Sequence, residues 1–143
     1  MTTLNGQTIG MAHYATRALL ERELTRVGVT FHQSVALNAI AQNDADTDID
    51  QLLARMTSTL KIDEPTATAA ITGLVDTGLL TRSAGASLRL TESGRQRQQQ
   101  LGLAVQDITR RLYADLPADD LAIAGRVVAA VTDRADAELS SPS

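Results

Sequence analysis

The chain has no cysteine, no tryptophan, one phenylalanine, two tyrosines and a single lysine among its 143 residues. Without cysteine there is no disulfide framework, no thiolate metal site and no thiol redox sensor. With aromatics at 2% and apolar residues at 43%, a core must be built from Leu, Val, Ile and Ala. Such residues suit closely packed helices better than stacked sheets. No apolar run approaches the roughly 20 residues that span a bilayer. The opening MTTLNGQTIGMAHY has no charged region ahead of an apolar stretch, so it does not read as a signal peptide. A cytoplasmic protein without a membrane partner is expected. The formal charge of −4 gives no overall attraction to nucleic acid, so any such attraction has to be local.

Chemistry-bearing patterns are equally scarce. There is no nucleophile–base constellation, no Gly-rich phosphate loop and no paired-carboxylate signature, so neither enzymatic activity nor a cofactor is expected. His13 and His32 are the only histidines, and no third ligand lies near them to complete a metal site. Asp44, Asp46, Asp48 and Asp50 alternate like the start of a calcium loop. The match ends where it matters: Ile49 stands where the sharp turn wants Gly, and Arg55 where the bidentate Glu belongs. A solvated acidic loop is the reading kept.

What is present is punctuation and periodicity. Residues 8–27 carry Ile9, Ala12, Thr16, Leu19, Leu20, Leu24 and Val27 at helical spacing, and Gly28 stops that run. Thr30 and Gln33 form a capping box that opens a second helix through Val35, Leu37, Ile40 and Ala41. After the polar stretch 43–50, a third helix carries Ile49, Leu52, Leu53, Met56 and Leu60. Asp63 caps a fourth, with Glu64 and Pro65 in its first turn and Ala67, Ala70, Ile71, Leu74 and Val75 as its buried stripe. Gly78 ends it. Leu79–Ser83 and Ser87–Leu90 are short β-type runs joined at Ala84-Gly85-Ala86, which reads as a hairpin. Thr91 caps a long fifth helix with Leu101, Val105, Ile108, Leu112 and Leu116 in a narrow, extended stripe. Pro117 breaks it, and a last helix carries Leu121, Ala124, Val127, Val128 and Val131 before a frayed tail at Ser140–Ser143.

The expected fold is mainly α with a small β-hairpin wing, a single domain over 1–143. About residues 30–90 form a winged helix-turn-helix. The long segments at about 5–27 and 91–138 extend beyond it with apolar faces that need cover. A second copy of the chain supplies such cover, and two-fold dimers are the commonest kind.

This order resembles that of MarR-type transcriptional regulators. The matching residues are Gly28-Val29-Thr30 with Leu37 and Ile40, then Leu60, Thr66, Leu74, Gly78 and Leu79, and Leu90-Thr91-Glu92-Ser93-Gly94-Arg95 at the opening of the long helix. The resemblance spans about residues 5–138. It implies a homodimer that binds palindromic double-stranded DNA and loses affinity when a small-molecule effector arrives. Two departures accompany it. Positions where the family usually carries Arg on its reader helix fall on Ala69, Gly73 and Thr77. The stretch between Gly78 and Leu90 is about five residues short and lacks the family's Asp-Arg-Arg tip.

Within that frame, Thr66, Thr68 and Thr72 lie opposite the apolar stripe, where hydroxyls can meet phosphates or base edges. With Ala69 and Gly73 they form the expected DNA-contacting face; the plain alternative is a capped, solvated helix surface. Arg82 and Arg89 flank the hairpin as the best cationic contacts, with Arg55, Lys61 and Arg95 as further phosphate neutralisers. Residues 49–95 hold five basic and five acidic side chains, so the module is neutral and weak, salt-sensitive binding is expected. Asp63 and Glu64 occupy the helix N-terminus that a phosphate would favour. His13, Tyr14, Arg17, Phe31 and His32 are the expected lining of an effector pocket. The rival expectation is a dimeric winged-helix interaction or ligand-sensing module with weak or lost DNA binding.

Overall fold

The computed structural model describes residues 2–43 and 46–141, and short hydrogen-bond circuits explain where its helices begin and end. Helix α1 (Gly6–Val27) opens on a capping box that the sequence reading missed, with Asn5 and Thr8 bonding each other's backbone amides at 2.9 and 2.8 Å. It closes on Gly28, whose φ of 75° lets the Val29 amide fold back onto the Leu24 carbonyl at 3.2 Å. Glycine meets that left-handed turn at no steric cost. Helix α2 (Phe31–Ala41) starts at the expected Thr30–Gln33 box, its two bonds 3.0 and 3.1 Å long.

The segment expected to be a loop holds a short strand, β1 (Thr47–Asp48). Two residues carry no period for a sequence pattern to show. Asp48 then caps α3 (Ile49–Leu60) by accepting from the Gln51 amide at 3.0 Å. A tight turn leads into α4 (Glu64–Asp76). The wing follows as β2 (Leu80–Ser83) and β3 (Ser87–Leu90), antiparallel with Ser83 opposite Ser87. Gly85 takes the left-handed position in the three-residue connection, as such hairpins favour. Because β1 pairs Thr47 with Leu88, the hairpin becomes a three-stranded sheet of order β1-β3-β2.

Helix α5 (Glu92–Tyr113) begins at the motif LTESGR, and the structure gives each part of that motif a task. The Thr91 hydroxyl accepts from the Gly94 amide at 3.0 Å and donates to the Gly78 carbonyl at 2.6 Å. Gly94 lies so close to the Leu79 backbone that a Cβ there would overlap the Leu79 carbonyl. One turn on, Arg97 donates to the Val27 carbonyl, tying α5 to the negative end of α1.

The chain divides into two compact units, Met1–Ile108 and Thr109–Ser143. The first has one continuous core in which Leu24, Leu37, Leu52, Met56, Leu74, Leu80 and Leu88 are fully buried. Each such side chain contributes about 1.5–3 kcal/mol relative to exposure. The second unit contains the end of α5 and α6 (Ala118–Ser140), which starts after Pro117 as expected. No residue of α6 is buried. Ile123, Val127, Val128 and Val131 stand exposed along it, as do Leu112, Tyr113 and Leu116 before it. Pro142 and Ser143, half of the expected tail, lie outside the described residues, as does Asp44 of the acidic alternation.

Candidate nucleic-acid interface

Helix α4 is presented by its cap. The Thr66 amide donates to Asp63 Oδ1 at 2.8 Å. Hydrogen bonds from Thr66, hydroxyl first and amide second, hold the Asp63 carboxyl below the usual carboxylate range. At the other end Gly78 adopts φ 80°, and the Leu79 amide returns to the Leu74 carbonyl at 2.9 Å. With Ala67, Ala70, Ile71 and Leu74 turned into the core, Thr66, Thr68, Ala69 and Thr72 are left exposed. Glu64, Pro65, Thr68, Ala69, Thr72, Gly73 and Asp76 line a shallow, open depression along the helix. Its ends are acidic and its middle is uncharged.

The three positions where the resemblance implies Arg differ in their surroundings. Ala69 is open to solvent. Gly73 is half-buried, and a Cβ there would meet Gln33 Nε2 at 2.6 Å. Gln33 is itself held by the Thr30 amide through its Oε1, so a longer side chain at 73 requires the Gln33 amide group to swing aside. The Thr77 hydroxyl folds back to the Gly73 carbonyl at 2.9 Å.

The cations divide more sharply. Arg89 on β3 donates through Nε and Nη2 to Asp46 Oδ1 and Oδ2, at 3.0 and 3.3 Å. This two-pronged geometry is the strong form of the pair, although both side chains stay solvent-exposed. The bound guanidinium holds the Asp46 carboxyl below its ordinary range. Arg55 bonds Gln42 Oε1 at 3.4 Å, and Lys61 reaches the Ser58 carbonyl at 2.6 Å. Arg95 lies 4.0 Å from Glu92 and 3.4 Å from the Leu90 carbonyl. The side chain of Arg82, exposed on β2, makes no hydrogen bond or ion pair with the described residues.

Three of the five residues expected around an effector adjoin one another. Arg17 lies over the Phe31 ring at 4.2 Å and pairs with Glu21 at 3.4 Å, while His32 meets Phe31 edge-on at 6.0 Å. His13 and Tyr14 face each other at 5.8 Å on a more N-terminal turn of α1, both exposed. A half-open cavity of about 280 Å³ lies elsewhere, between α1, α2 and α5, lined mainly by Leu20, Leu24, Phe31, Val35, Asn38, Gln98, Leu101 and Val105. Phe31 is the one expected residue that borders it. The cavity's apolar lining comes from helical stripes visible in the sequence, of which those in α1 and α5 were expected to need cover from a second copy. Among the described residues no three His, Asp or Glu side chains cluster as metal ligands, and no helix is long and apolar enough to cross a membrane.

No protein-family model and no curated protein matches this sequence. Solved structures do match its fold. The reduced form of MarR from E. coli is 23% identical, with a TM-score of 0.69, over 92% of this chain and 95% of that one. The MarR-family protein Rv2887 of Mycobacterium tuberculosis, solved in complex with DNA, is 18% identical with a TM-score of 0.69, over 91% and 98% of the two chains. CouR from Rhodococcus jostii RHA1, bound to p-coumaroyl-CoA, is 13% identical with a TM-score of 0.76, over 88% and 90%. At these identities the likeness speaks for architecture, and on that evidence the chain has the winged-helix fold of the MarR-type transcriptional regulators.

Proposed function

We propose that the protein is a MarR-type transcriptional regulator that binds palindromic double-stranded DNA as a homodimer. The observation that carries this reading is a capped helix, α4, whose Thr66, Thr68, Ala69 and Thr72 face solvent beside a wing with an uncommitted Arg82. Residues of about 30–90 form the DNA-binding part. The helices over about 5–27 and 91–138 pair two copies, which covers Val127, Val128 and Val131. The two α4 helices then enter successive major grooves about one DNA turn (roughly 34–36 Å) apart. A small effector with an apolar body fits the cavity between α1, α2 and α5, and its entry there changes the spacing of the two readers. One relative solved with DNA and another with an acyl-CoA ligand support both halves of the reading.

Arg82→Ala should weaken binding to all duplexes alike, because a phosphate contact carries no sequence information. Thr68→Ala should change sequence preference. Titrations against an operator that leave both variants equal to the parent would refute this contact set.

A second reading is favoured by two observations: Arg89 is occupied by Asp46, and α4 carries acidic residues at both ends. In that reading the dimer serves as an interaction or ligand-sensing module. A gel shift with DNA flanking the protein's own gene, at low and moderate salt, separates the two. Absence of any salt-sensitive shift supports the module.

A further inference from the structure

We infer that the face of α4 reads thymine methyl groups, so that each half-site presents a T-rich major groove; this rests on the DNA-binding reading above and specifies its target. Direct readout in the major groove has a small vocabulary. Arg or Lys grips guanine and Asn or Gln grips adenine, each through two hydrogen bonds; the thymine C5-methyl is met by apolar contact from Ala or the Thr methyl. From Glu64 to Asp76 the chain carries no Arg, Lys, Asn or Gln, so α4 has no two-bond contact to offer a purine. What its open face offers is methyl groups, on Thr68, Ala69 and Thr72, within one turn and all exposed.

Electrostatics place those methyls over bases rather than backbone. Glu64 and Asp76 at the two ends of the depression repel phosphate, and the strip between them is uncharged. The complementary part of DNA is the floor of the groove, where the thymine methyl is the main apolar group. Phosphate contact falls instead to the wing, where Arg82 is uncommitted. Gly73 keeps the strip flat, since Gln33 occupies the space a side chain there would need. The reader therefore discriminates by shape, with less contrast per base than a two-bond reader achieves.

The test uses the full-length protein and a duplex selected from a random pool. Each thymine in turn is replaced by deoxyuridine, which removes the methyl and keeps every hydrogen-bonding group. Removal at a contacted position should raise Kd about fourfold, the equivalent of about one buried methylene. Thr68→Ser, which deletes the protein's methyl, should weaken the native duplex comparably and add little on the deoxyuridine duplex. Thr68→Val, which keeps a methyl and loses the hydroxyl, should bind like the parent, while Arg82→Ala should weaken native and substituted duplexes equally. Equal affinity for every deoxyuridine duplex overturns the inference and leaves the DNA-binding reading intact. A pool that yields no bound duplex at any salt overturns that reading, and the inference with it.

Discussion

Helices α4 and α6 both carry apolar residues at helical spacing, yet their environments are opposite. In α4, Ala67, Ala70, Ile71 and Leu74 are enclosed, and the exposed residues are Thr, Ala, Pro and acid. In α6 nothing is enclosed, and Ile123, Val127, Val128 and Val131 all meet solvent. The first helix is complete within one chain; the second is not. An amphipathic stripe tells which face wants burial and leaves open whether the same chain provides it. Here one copy finishes its winged-helix core and leaves the α6 face open; in the dimer proposed above, a second copy covers it.

That contrast can be broken most directly by a charge. Val127→Asp should raise the dimer dissociation constant by on the order of 100-fold, the roughly 3 kcal/mol of an uncompensated charge at a covered face. Sedimentation at micromolar concentration should then show monomer. A variant that sediments as the parent does would place the α6 face outside any interface.

Glycines sharpen the same contrast at smaller scale. Gly94→Ala pushes a methyl into the Leu79 carbonyl and should cost about 1–3 kcal/mol, as overpacking does, lowering the urea midpoint. Gly125→Ala in α6 meets nothing within 4 Å and should leave stability unchanged or raise it by up to about 1 kcal/mol. Similar losses from both would show α6 to be enclosed as tightly as the core.

The smallest effect concerns Asp46. Its carboxyl is lowered by Arg89, so the pair stabilises the fold at pH values above the unfolded carboxylate value of about 3.9. That contribution is lost as pH falls through the lower folded value. Asp46→Asn should therefore lie slightly below the parent at neutral pH and converge with it in acid, followed by urea midpoints. The same variant releases Arg89, so its DNA binding should show a salt dependence steeper by about one counterion. An unchanged slope would show that the Arg89 side chain stays away from the backbone.

Much of this architecture was legible because it is written locally. Thr30 with Gln33, Asp63 ahead of Pro65, and Gly28 and Gly78 at helix ends each announce a boundary within four residues. Thr91 and the Leu79–Leu90 hairpin do likewise. Contacts between distant segments left no such trace. Arg89 and Asp46 are 43 residues apart, and β1 is too short to show a period. Gln33 over Gly73, and Arg97 on the Val27 carbonyl, depend on how helices meet. Arg17, Phe31 and His32 adjoin because α1 crosses α2 there, whereas His13 and Tyr14 lie further toward the start of α1, where spacing alone could not reveal how far the neighbour extends.

The turn between α3 and α4 holds the one non-glycine residue with positive φ among those described, Lys61 at 57°. It is also the only lysine in the chain. A glycine there would relieve roughly 1 kcal/mol of backbone strain and would delete the sole primary-amine side chain. Chemically, this makes residue 61 the one side-chain amine handle: with the more acidic α-amine blocked first, an amine-selective fluorophore coupled to Lys61 would sit at the bend of the helix-turn-helix, able to report duplex arrival without any engineered cysteine.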